Sequence, residues 1–139
     1  MAAVRVTLTL QSPDVLSSTL SIAVDSTVVV DSGSLIRAKV KGTAADTDDF
    51  VVYKANDKLE NAYLYVKNMD AKKENYVYLR NETESDTALS AKIGGGEFAF
   101  LPIPPDKTVA VFATKIDTLV EYGVFGYDNS SVSISGSGT

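Results

Sequence analysis

Near its start the chain alternates, with Val4, Val6, Leu8 and Leu10 apolar and Arg5, Thr7 and Thr9 polar between them. A period of two sends the two sets to opposite faces of an extended chain, so residues 4–10 are predicted as a strand. Further runs rich in Val, Ile, Tyr, Phe and Thr, bounded by Asp, Asn, Gly, Ser or Pro, predict strands near 18–24, 27–31, 34–41, 50–54, 62–68, 75–81, 88–93, 97–101, 108–114 and 118–126. No stretch of helical length carries apolar positions at i, i+3, i+4 and i+7 free of β-branched crowding, which leaves residues 57–61 as the one place for a short helical turn. Strands recurring every ten residues or so, with turn residues between, belong to an antiparallel sandwich or barrel and not to βαβ units. The expected fold class is all-β: an antiparallel β-sandwich with little or no helix, of which a jelly roll is one form.

Two hairpins are expected within it. Residues 62–68 and 75–81 alternate in step around the polar turn 69–74, which would bring Tyr63, Tyr65, Tyr76 and Tyr78 to one face. Residues 88–93 would pair with 97–101 across Gly94, Gly95 and Gly96, where glycine permits a tight turn. Pro102, Pro104 and Pro105 cannot donate to a ladder, so the chain is expected to leave the sheet there and resume at Thr108. The sandwich is expected over residues 1–127, and the Ser- and Gly-rich stretch 128–139 as a tail or arm.

Composition narrows the chemistry. A chain of 139 residues is the size of one domain, and 45% hydrophobic with 22% charged residues argues against wholesale disorder. The longest apolar runs are far short of the ~20 residues of a membrane-spanning helix, and residues 1–10 alternate as a strand does in place of the apolar stretch of a secretory signal. No membrane partner is expected. There is no cysteine, which excludes disulfides and thiolate sites, and no histidine, which removes the usual general base and every Ser-His-Asp or Cys-His arrangement. The formal net charge of -5 opposes binding to a phosphate backbone, so no nucleic-acid partner is expected.

The remaining clusters have plain readings. Asp46, Asp48 and Asp49 could offer oxygens to calcium, but without the glycine and terminal glutamate of a calcium loop they read as a solvated acidic loop. Glu82, Glu84 and Asp86 form a second acidic run; glycosidase carboxylates need a cleft at a set separation, and a turn is the simpler reading. Lys72 and Lys73 are too few to hold a polyanion. The glycine run lacks the GK[ST] of a phosphate loop. Tyr63, Tyr65, Tyr76 and Tyr78 are the candidate platform, for a sugar or for a protein interface. No catalytic residue, cofactor or metal ligand is assigned, and an enzyme is not expected.

The segments NAYLYVKNMD (61–70), NYVYLRNET (75–83), AKIGGGEFAFLPIPP (91–105) and TVAVFATKIDTLVEYGVFGYD (108–128) resemble small virion structural proteins of tailed bacteriophages, of the marine cyanophage type. The resemblance lies in Lys67-Asn68 at a strand end, in Gly96-Glu97-Phe98 leading to Pro102, and in a closing strand containing Glu121-Tyr122. It covers residues 61–127, about half of the chain. It implies a virion location, capsid or other virion proteins as partners, a homo-oligomer, and a role as a head decoration or cement protein. The alternatives are a receptor- or carbohydrate-binding module of a tail or head fibre, and a neck or tail completion protein.

Overall fold

The structure, a computed structural model, describes residues 2–40, 50–81 and 89–128, and every regular element among them is a strand. In chain order these are β1 (Ala2–Ser12), β2 (Leu20–Val30), β3 (Ser32–Val40), β4 (Phe50–Tyr53), β5 (Asn61–Asn68), β6 (Val77–Asn81), β7 (Leu89–Ile93), β8 (Phe98–Ile103), β9 (Val109–Ala113) and β10 (Thr118–Tyr127). The chain divides into two compact units, Met1–Asp31 and Ser32–Thr139.

The first unit is a two-stranded ribbon. β1 and β2 pair from Ala2 opposite Val30 to Ser12 opposite Leu20, and neither is in register with any other strand. The strands expected at 18–24 and 27–31 are therefore one: Asp25 and Ser26 continue the ladder opposite Thr7 and Val6. Polar side chains do not end a strand that faces water. The sandwich expected from residue 1 begins instead at Ser32, because alternation marks a strand without saying which sheet it joins.

The second unit holds the expected sandwich. One antiparallel sheet has the order β3-β10-β5-β8 and the other β4-β9-β6-β7. The pairs β6 with β7, β5 with β8, β4 with β9 and β3 with β10 nest around one another like a long hairpin folded over itself. Between the sheets lies the core, with Leu64 and Val66 of β5, Val120 of β10, Leu79 of β6 and Val111 of β9 fully or almost fully enclosed. Phe50 meets Tyr122 edge to face across it, at 5.8 Å between ring centres.

Both expected hairpins are corrected. β5 pairs with β10 and β8, whereas β6 pairs with β9 and β7, so the segment after Asn68 crosses from one sheet to the other. Likewise β7 and β8 flank the glycine run but sit in different sheets. Pro102 does not break the ladder. It lies within β8 opposite Tyr63, and β8 is an edge strand, where a missing N–H is tolerated. Residues 57–58 form a turn, with no helix. Asp46, Asp48, Asp49, Glu82, Glu84, Asp86 and the tail from residue 129 lie outside the described residues.

Candidate functional site

Strand register assigns each side chain of the sheet β3-β10-β5-β8 to one of its faces. Leu64 and Val66 point inward, so Tyr63, Tyr65 and Lys67 point out, as do their partners Pro102, Phe100 and Phe98 on β8. Across β10 the outward set is Glu121, Gly123 and Phe125, and across β3 it is Gly33, Leu35 and Arg37. The outer face is therefore largely aromatic and apolar, crossed by the charged row Arg37–Glu121–Lys67, which ends at Phe98, with Lys39 in the next row opposite Leu119. Leu35 and Phe98 are 63% and 62% exposed, high values for large apolar side chains.

The row is fixed by hydrogen bonds. The Arg37 Nε donates to Glu121 Oε2 at 2.9 Å and the Tyr65 hydroxyl donates to Oε1 at 2.9 Å, so both carboxylate oxygens are held. Those two donors keep the Glu121 carboxyl below its ordinary range, the Arg37 bond contributing most. Burial, and then the bond to Glu121, raises the Tyr65 hydroxyl. Tyr63 and Phe100 lie with ring planes 3° apart and centres 6.0 Å apart. The Phe125 ring spreads over Gly33 and Gly123: a Cβ on either would come within 2.9 Å or 3.2 Å of ring atoms. The GVFG sequence of β10 thus lets an aromatic ring lie low on the sheet.

Tyr76 and Tyr78 do not share this face. Tyr78 alternates with inward Val77 and Leu79, so it stands on the outer side of the other sheet, stacked on Phe112 at 5.1 Å. Tyr76 lies 6.4 Å from Tyr78 and carries the Lys92 ammonium 4.1 Å over its ring. The four tyrosines expected in one row are two pairs on opposite sides of the sandwich. Leu35, Phe98, Phe100 and Phe125 were not singled out from sequence. The alternation of Phe98, Phe100 and Pro102, and of Glu121, Gly123 and Phe125, carried the signal.

A polar clamp holds one end of the open sheet in place. The buried Asn68 donates through Nδ2 to the carbonyls of Asn75 at 2.7 Å and Ile93 at 3.0 Å, and its Oδ1 accepts the Asp70 N–H at 3.0 Å. Its backbone pairs with Glu97 and Gly96 at 3.0 and 2.8 Å. One side chain thus ties β5 to the loop before β6 and to the end of β7. Asp70 in turn accepts from Lys72 N and Asn75 Nδ2, at 2.9 and 3.0 Å, and these two bonds lower its carboxyl from the ordinary range. The glycine run fits underneath: a Cβ on Gly95 would lie 2.1 Å from the Lys72 carbonyl oxygen and 2.7 Å from that of Asp70. The Lys67-Asn68 and Gly-Glu-Phe elements noted in the sequence meet here, as architecture.

No family model matches the chain, and no curated protein matches it. Among solved structures, a chain of the Bacillus endospore appendages, described as a novel family of disulfide-linked pili, aligns over 69% of this chain and 86% of its own, with 13% identity and a TM-score of 0.47. That level of likeness carries no functional argument.

Proposed function

We propose that the protein is a structural subunit that docks on a larger protein assembly through the outer face of β3-β10-β5-β8, and more specifically that it is a decoration or cement protein on the head of a tailed bacteriophage. The observation that carries this is the face itself: a contiguous aromatic and apolar surface, exposed at Leu35 and Phe98, with a fixed charged row. Surfaces of that kind mark protein interaction sites. Arg37, Lys39 and Lys67 against Glu121 make the face locally basic on a chain of net charge -5, which suits an apolar partner surface with an acidic rim. Three of its four strands, β5, β8 and β10, come from the segments that resemble phage virion proteins. We read the nested strand pairs as a jelly roll, an architecture shared by viral capsid and lectin domains; that is support by analogy of fold.

Co-sedimentation with tailed-phage heads stripped of decoration proteins tests the reading. Saturable binding is expected, and Phe98→Lys with Leu35→Lys abolishes it while the fold persists. Heads that leave the wild-type chain in the supernatant would overturn it. A carbohydrate-binding module is the second reading, favoured by the parallel Tyr63 and Phe100 rings beside hydrogen-bonding groups. Saturable glycan binding lost in Tyr63→Ala, without any binding to heads, would replace the first reading with this one.

A further inference from the structure

The two sheets of the sandwich end in four edge strands, β3 and β8 in one and β4 and β7 in the other. An edge strand presents unpaired N–H and C=O groups, and shortness, proline or a bulge is the usual protection. β4 has four residues and β7 five, and Pro102 removes a donor from β8. β3 has none of these protections. It runs for nine residues without proline, in unbroken register with β10. It is also open on both sides, with Leu35 on the outer side 63% exposed and Ile36 on the inner side 44%. The core covers the inner side only toward Val40, which is fully buried.

We infer that the edge of β3 is filled by residues 130–138 of a second copy, added as an antiparallel strand. That segment reads SSVSISGSG, as long as β3, with Val132 and Ile134 alternating with Ser131, Ser133 and Ser135. The alternation is that of a strand with one apolar side. The segment has no proline, and no charge to repel Arg37 and Lys39. Placing Ile134 opposite Ile36 and Val132 opposite Ala38 covers the exposed part of the inner side and sets serines beside Leu35, Arg37 and Lys39 on the outer side. In such a strand addition the main-chain hydrogen bonds supply the affinity and the alternate side chains the specificity.

The segment must come from another copy, because its own copy cannot deliver it in the antiparallel sense. β10 ends at Tyr127, beside the start of β3, with Gly126 opposite Ser32. To run antiparallel to its own β3, the chain would first have to return to the Val40 end, eight steps of ~3.4 Å or roughly 27 Å away. The three steps from Tyr127 to Ser130 reach at most about 10 Å. Parallel addition within one copy would have to step around the incoming chain at Asp31 in the same few residues, for the less stable of the two ladders. A second copy meets neither limit. Each link joins one tail to one edge, a heterologous contact that can repeat from copy to copy. It uses the edge of the sheet and not the outer face, so it stands apart from the docking reading, and no phage heads enter its test.

Two full-length variants separate donor from acceptor. Val132→Lys with Ile134→Lys spoils the tail and keeps the edge. Ile36→Lys sets an inward-pointing charge on the edge, one of the ways in which edges are closed, and keeps the tail. In sedimentation velocity the wild type is expected to associate as its concentration rises, and each variant alone to stay monomeric. An equimolar mixture of the two variants is expected to form one-to-one complexes and nothing larger. A peptide of residues 129–139 is expected to bind the tail variant saturably, which probes the edge without altering it. All seven tyrosines lie beyond Asp31, so near-ultraviolet circular dichroism shows that the sandwich of each variant is intact. A wild-type chain that is monomeric at every concentration, a folded variant that associates like the wild type, a mixture of folded variants that stays monomeric, or a tail variant that ignores the peptide would overturn the inference.

Discussion

Replacing Asn68 by alanine removes three hydrogen bonds from a site with no exposed surface: two donated to the Asn75 and Ile93 carbonyls and one accepted from Asp70 N–H. At about 1 kcal/mol net for each, the loss is about 3 kcal/mol, and more where a carbonyl stays buried without a partner. For a unit of roughly one hundred residues that lowers the melting temperature by about 12 °C. Urea unfolding followed by tyrosine near-ultraviolet circular dichroism measures it, with Asn61→Ala at the exposed start of the same strand as control, expected within about 0.5 kcal/mol of wild type. Asn68→Asp gives a second handle. It loses both donors and sets a carboxylate against two carbonyl oxygens, so it is at least as damaging at pH 7. It recovers partly as the pH falls and the acid, now protonated, can donate. A loss below about 1 kcal/mol for Asn68→Ala would refute the clamp as a structural anchor.

Gly95→Ala drives a methyl group into two backbone carbonyl oxygens and is expected to cost about 2 kcal/mol or more. Gly96→Ala meets nothing within 4 Å and suffers only from its φ of +84°, about 1 kcal/mol; urea midpoints of the two variants check the order. Stability also falls in acid. Asp70 and Glu121 are held below their unfolded values by hydrogen bonds, so their contribution is fully present above about pH 5 and is lost as the pH drops through the folded values. Urea midpoints from pH 7 to pH 2.5 should show this decline, and the Asp70→Asn, Glu121→Gln double variant should flatten it.

Much of the fold was legible because alternation is local. Tyr63, Tyr65 and Lys67 against Leu64 and Val66 reveals which side of β5 is buried without any partner being known. What alternation cannot give is the identity of the neighbouring strand. The turn at 69–74 is long enough either to close a hairpin or to cross between sheets, and the choice falls to Asn68, whose side chain binds both the loop before β6 and the end of β7. The same applies to the Gly94–Gly96 turn, where the close approach of Gly95 to the Lys72 carbonyl replaces a hairpin by a crossing. Pro102 resembles a break in the sequence because a ladder position on an edge strand cannot be told there from a central one. The open face is not legible in the sequence for a related reason. Leu35, Phe98 and Phe125 are far apart in the chain and meet only once β3, β10, β5 and β8 are ordered.

Hydroxyl-radical footprinting of the free and the head-bound protein tests the docking face most directly. Protection at Leu35, Tyr63, Phe98 and Phe125, with Tyr76 and Tyr78 labelled as in the free chain, is the result expected. Bound protein whose Leu35 and Phe98 stay as reactive as in solution, with protection at Tyr76 and Tyr78 instead, would contradict it.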